Sequence, residues 1–213
     1  FVQYPGKEFF FPKPTRILNE KQLGQSMEKR GTALIFVKIG KIEAVPDILW
    51  GQLYKTQRSL RKMLAGNDFA IINDAVWSNE ADLSVLLFEV EDRFLPATKK
   101  HLGPPVEKRV ECDRFLRKHL GASATVSGPR LEDERWVVEI KRRYTDVVEL
   151  LKVELNKGGR QVGVAERISK VLADKVEVLA NEEICGMYKT NKDFAEFVTD
   201  YIQGKPKWLQ ISS

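Results

Sequence analysis

Two hydrophobic periods alternate along this chain. Thr32 to Ile39, TALIFVKI, is a continuous apolar run of strand length and predicts a strand central in a sheet. Leu49, Leu53, Leu60 and Leu64 then recur at helical spacing. They predict a helix from Asp47 to about Leu64, with Asp47 as its N-cap. Tyr54, Lys55, Arg58, Arg61 and Lys62 fall on the side opposite that stripe. Phe69 to Ile72 and Leu83 to Val90 read as two further strands, Cys112 to Leu120 as a helix, and Arg135 to Tyr144, RWVVEIKRRY, as a strong strand. The order strand, helix, strand, strand, helix, strand predicts an α+β, ferredoxin-like (split βαβ) antiparallel sheet with helical additions and insertions.

Polar and special residues punctuate these elements. Asn19 caps a short helix running to Lys29, which Gly31 ends. Phe1 to Pro14 is rich in Pro and Phe and reads as an extended arm. Ser78-Asn79-Glu80 has turn chemistry. His101-Leu102-Gly103-Pro104-Pro105 reads as a rigid, irregular loop and Gly121 to Pro129 as a polar one. Asp146 to Asn156 predicts an amphipathic helix stopped by Gly158-Gly159, and Gly163 to Leu179 a further helical stretch. Asn191 or Asp193 caps a last helix to about Gln203, before a frayed tail from Lys205.

Composition narrows the function classes. The 213 residues carry 35 Lys and Arg against 30 Asp and Glu, a net charge of +5. The pI near 9.1 permits a polyanionic partner without demanding one. No apolar run is long enough to span a bilayer, and there is no signal-peptide pattern. The two cysteines, Cys112 and Cys185, are far apart and read as reduced thiols of a cytoplasmic protein. The first residue is Phe1, so the chain reads as a piece of something longer.

Candidate chemistry is sparse. Glu89 and Glu91 lie two apart on a predicted strand and share a face, as a divalent-cation pair would. The competing reading makes them the solvent side and frayed end of that strand. His101 lacks a Ser or Cys nucleophile motif beside it. The cations form the better pattern. Lys99-Lys100, Lys108-Arg109, Arg114, Arg117-Lys118 and Lys141-Arg142-Arg143 join the basic side of the Asp47 helix. With Trp50, Tyr54 and Trp77 they would make a stripe for phosphates, which gives affinity and salt dependence rather than sequence choice. TALIFVKI lacks the aromatic pair that stacks bases on an RRM sheet, so recognition of a structured RNA by shape fits better.

Several short motifs in order carry a resemblance. Phe9-Phe10-Phe11-Pro12, Arg30-Gly31-Thr32-Ala33, Pro46-Asp47 with Trp50-Gly51-Gln52-Leu53, Leu86-Leu87-Phe88-Glu89, His101 with Gly103-Pro104-Pro105, and Phe115-Leu116 followed by Trp136 to Glu139 resemble the C-terminal half of the archaeal CCA-adding enzymes. The resemblance implies a tRNA nucleotidyltransferase. Such an enzyme adds C, C and A to the tRNA 3′ end from CTP and ATP with Mg²⁺, without a nucleic-acid template. Its catalytic carboxylates would lie in a head domain, followed by a neck, outside this body and tail portion. The resemblance assigns residues 1–72 to the first part of a body domain, 73–155 to a tail-like insertion, and 156–213 to the second part of the body with C-terminal helices. It implies no catalytic residue, metal site or cofactor in this portion, which would be inactive alone and would grip the acceptor stem and T arm. The candidate RNA-binding residues are Trp50, Gly51, Gln52, Tyr54, Lys55, Arg58, Lys62, Arg114, Arg117, Lys118, Lys141, Arg142 and Arg143. The Trp50–Lys55 turn is expected nearest the tRNA 3′ end, with Lys55 where the family often has Arg. No membrane partner is expected, and a homodimer stays open. The alternatives are a non-catalytic ferredoxin-like module for protein interaction or general RNA binding, and a metal-dependent enzyme using Glu89 and Glu91.

Overall fold

The computed structural model describes residues 2–4, 7–9, 17–156 and 176–204. The expected Gly158-Gly159 stop, the tail from Lys205 and most of the 163–179 stretch lie outside these residues. The chain forms two compact units, Phe1–Arg93 with Val147–Ser213, and Phe94–Asp146.

The first unit is built on a four-stranded antiparallel sheet. Its strands are β3 (Ala33–Ile39), β4 (Ile71–Ser78), β5 (Ser84–Val90) and β9 (Val176–Leu179), in spatial order β4-β5-β3-β9. That is the ferredoxin-like order, with one correction. The fourth strand is Val176–Leu179, inside the stretch expected to be helical, and Arg135–Tyr144 plays no part in this sheet. A short apolar run with β-branched residues is the ambiguous case that periodicity leaves undecided. Every residue of β5 is buried, as a strand covered on both faces requires.

Helix α2 (Pro46–Gly66) covers the sheet with Leu49, Leu53, Leu60 and Leu64, all at 5% exposure or less. Its N-cap is Val45, which makes no side-chain cap bond. Asp47 sits in the first turn behind Pro46 and is not the cap. Pro is suited to the first helical position because its missing N–H would have no partner there. Helix α1 (Glu20–Lys29) has the expected Asn19 cap. Asn19 Oδ1 accepts from Gln22 N–H at 2.9 Å, and Gln22 Oε1 accepts from Asn19 N–H at 3.1 Å, a capping box. Helix α4 (Val147–Asn156), α5 (Glu182–Thr190) and α6 (Lys192–Ile202) complete the unit, with Asn191 Oδ1 capping α6 through Phe194 N–H at 3.0 Å. Phe194 and Phe197 of α6 pack edge-on to Phe36 of β3. In the predicted arm, β1 (Val2–Tyr4) pairs with β2 (Lys7–Phe9).

The second unit contains its own three-stranded sheet, in order β6-β8-β7, with β6 (Thr98–Pro105), β7 (Thr125–Glu132) and β8 (Arg135–Lys141). The stretches around His101 and before Pro129, expected as loops, are strands. Gly and Pro reduce strand propensity but are tolerated at bulges, and the register shifts at both places, between Leu102 and Pro105 and between Ser127 and Arg130. Helix α3 (Arg109–His119) lies against this sheet. The boundaries at 93/94 and 146/147 differ from the expected 72/73 and 155/156. β4 and β5 complete the larger sheet, and α4 belongs with it. Where the chain leaves and returns, Val147 N–H donates to Arg93 O at 3.1 Å.

Candidate nucleic-acid interface

Helix α2 presents Lys55, Arg58 and Lys62 to solvent, all exposed. At 100° per residue these positions fall within an arc of about 60°. Arg61 turns toward the sheet edge, where its Nη1 lies 3.5 Å from Asp74 Oδ2. Burial raises the Asp74 carboxyl above its ordinary range, and Arg61 opposes the shift.

The aromatic part of the expected stripe is not on this face. Trp50 and Tyr54 are 3% and 5% exposed and belong to the core. The spacing 50, 54 continues the apolar stripe one position round from 49, 53, so both rings turn inward. The Trp50 indole N–H donates to Glu80 Oε1 at 2.8 Å, and the two rings lie 6.2 Å apart. Glu80 is held in the β4–β5 connection, where Asn79 Oδ1 accepts from the backbone N–H groups of Ala81, Asp82 and Leu83. Trp77 is buried too and stacks on Phe197 at 5.4 Å. Gly51 is half-buried, and a methyl there would meet nothing within 4 Å. Gln52 is half-buried, with an enclosed Oε1 that has no hydrogen-bond partner.

Glu89 is neither solvent-facing nor available to a cation. It is 4% exposed. Its Oε1 accepts from Arg30 Nε at 2.9 Å and Thr32 Oγ1 at 2.7 Å. Its Oε2 accepts from Arg30 Nη2 at 3.0 Å and Tyr201 Oη at 2.6 Å. Burial acts to raise this carboxyl, but the hydrogen bonds from Arg30, Tyr201 and Thr32 outweigh it and hold it below the usual range. Burial and the same carboxylate push the Tyr201 phenol well up. Glu91 lies beyond the end of β5, exposed. No group of three or more His, Cys, Asp or Glu able to hold a metal ion occurs among the described residues.

The second unit holds the other candidate cations. Cys112, Phe115, Leu116 and His119 form the inner side of α3, leaving Arg114, Arg117 and Lys118 exposed on the outer side. Lys141 and Arg143 are exposed and Arg142 is half-buried. Arg130 and Lys100 are engaged by Glu132, and Arg130 also by Glu139. His101 stacks on Phe115 at 5.9 Å, and Phe115 lies 4.7 Å from His119, so His101 is a packing residue of β6. Residues 94–146 carry 12 Lys and Arg against 8 Asp and Glu, +4 of the chain's +5. The segregation of charge was hidden in the sequence because the unit's boundaries were.

The sequence model of a family described as "CCA-adding enzyme, C-terminal domain" matches residues 30–181. The chain belongs to this family. The match runs from Arg30 through α2 and the whole second unit to β9. Among curated relatives, the CCA-adding enzyme of Methanosarcina mazei is 30% identical over 202 residues, covering 95% of this chain and 43% of the relative. Those of Methanosarcina acetivorans and Methanothermobacter thermautotrophicus are 29% and 28% identical over the same length, covering 43% and 42% of their own chains. The chain therefore spans under half the length of these relatives. No helix among its described residues is long and apolar enough to cross a membrane.

Proposed function

We propose that the chain is the tRNA-gripping portion of a CCA-adding tRNA nucleotidyltransferase, holding the acceptor stem and T arm while a catalytic head adds C, C and A from CTP and ATP with Mg²⁺. The observation that carries the reading is the family match from Arg30 to Asn181, over a chain whose positive charge is concentrated in residues 94–146. Lys55, Arg58 and Lys62 supply a further row of phosphate contacts on α2. Gly51 leaves room for close approach to the first turn. Trp50 and Tyr54 support this surface from beneath rather than touching RNA. Glu89, committed to Arg30, takes no part in metal chemistry, and this portion is inactive without the head.

The test is a salt series comparing a tRNA with an unstructured RNA of equal length. The expected result is tighter binding of the tRNA at every salt concentration, with a steep fall in affinity as salt rises. Equal affinities would remove the shape-recognition claim. Incubation with CTP, ATP, Mg²⁺ and tRNA lacking its CCA end should give no incorporation.

A further inference from the structure

The second unit opens on a two-stranded ribbon that its three-stranded sheet does not explain. Phe94 bridges Asp146, and Leu95 N–H donates to Thr145 O at 2.8 Å. Further in, Arg142 N–H donates to Ala97 O at 2.9 Å, and Thr98 pairs with Lys141. Between these pairs the returning strand contains one residue more than the outgoing one, which is a bulge near Arg143 and Tyr144. Tyr144 stands in this bulge, two residues before Asp146, the bridge partner of Phe94. The Arg143 guanidinium lies over the Tyr144 ring, 5.4 Å from its centroid. Phe94 is 63% exposed, whereas Trp50, Tyr54 and Trp77 are buried.

We infer that Phe94, Tyr144 and Arg143 form a stacking platform for an unpaired RNA base, with Lys141 farther along the returning strand for a neighbouring phosphate. The inference rests on the proposed RNA-binding function and names the part of the RNA this surface takes. Every base has a π-face, so an exposed ring beside cations binds single strands without choosing sequence. An exposed phenylalanine opposite Asp146, with Arg143 and Lys141 on the same returning strand, suits a flat ligand flanked by phosphates, and the surrounding unit is net positive. A paired base is stacked already and offers no free face, so the platform distinguishes single strand from duplex.

The experiment titrates the chain with a short single-stranded RNA carrying 2-aminopurine and with a blunt RNA duplex of equal phosphate count. In Phe94→Leu, single-strand affinity should fall roughly tenfold, with loss of the 2-aminopurine quench and little change on the duplex. Phe94→Trp should restore both, which separates stacking from folding. Single-strand affinity within twofold of the original in Phe94→Leu would overturn the platform, as would an equal loss on single strand and duplex. If the unsubstituted chain binds neither RNA, the RNA-binding function itself fails, and the platform with it.

Discussion

Arg30 grips Glu89 with two prongs of its guanidinium, Nε to Oε1 at 2.9 Å and Nη2 to Oε2 at 3.0 Å. The pair joins residues 59 apart in sequence, and Tyr201 and Thr32 take the remaining carboxylate positions. Removing one partner strands a charge in the core. Arg30→Ala should therefore destabilise the first unit by about 3 kcal/mol. The check is urea unfolding, with a lower midpoint and an unchanged slope.

Tyr201→Phe removes a single donor from the same carboxylate and leaves the bidentate pair intact. Its cost should be about 1 kcal/mol. A loss as large as that of Arg30→Ala in the same urea experiment would mean that Tyr201, rather than Arg30, anchors Glu89.

The second unit should carry its own pH dependence. His119 is 6% exposed, and burial, then His101 and Lys118, lower its pKa below the ordinary 6.5. The unfolded chain binds this proton more readily than the folded one. Stability from the neutral imidazole is thus fully present above about pH 6.5 and is lost as pH falls below it. The protection of the Val137 and Val138 amides, corrected for the intrinsic pH dependence of exchange, should fall between about pH 6.5 and 5.5, and His119→Gln should flatten that dependence.

Gly103 sits where a side chain has no room. A methyl there would lie 2.9 Å from the Phe115 ring and 2.9 Å from Trp136 O. Backbone cannot yield as a flexible side chain can, so Gly103→Ala should cost about 2 kcal/mol. Thermal unfolding of the two chains would read it, and an unchanged midpoint would mean that β6 and α3 separate easily.

On α2, Lys55→Ala should weaken tRNA binding by about 1 kcal/mol, and the triple change at Lys55, Arg58 and Lys62 should lower the salt slope by about three. A binding isotherm across salt concentrations separates these from folding effects. An unchanged slope in the triple variant would move the interface off this helix.

Local signals in the sequence located most helices well. The stripe Leu49, Leu53, Leu60 and Leu64 and the caps Asn19 and Asn191 act within a few residues, so nothing distant can hide them. The sheet was harder to read. RWVVEIKRRY is a better strand than the four-residue Val176–Leu179, and it took the fourth place in the predicted order. Only the knowledge that residues 94–146 fold as a separate unit corrects this, and no composition shift marks those ends. Glu89 was misread for a similar reason. Its partners Arg30, Thr32 and Tyr201 come from other elements, and a carboxylate in a buried strand looks like one on a wet face until they arrive. Trp50 and Tyr54 failed differently, since an amphipathic helix leaves its flank positions free to turn either way.

The hydrogen bond between Arg93 and Val147 brings together the two positions of the larger fold that flank the 53-residue excursion. To the four-stranded sheet, that excursion is an ordinary turn. Closing a longer or shorter loop there changes the entropy only logarithmically. The sheet would therefore keep its register at little entropic cost if the excursion were longer or shorter. The place where a positively charged excursion leaves and rejoins the sheet unit is closed by one pair of backbone groups.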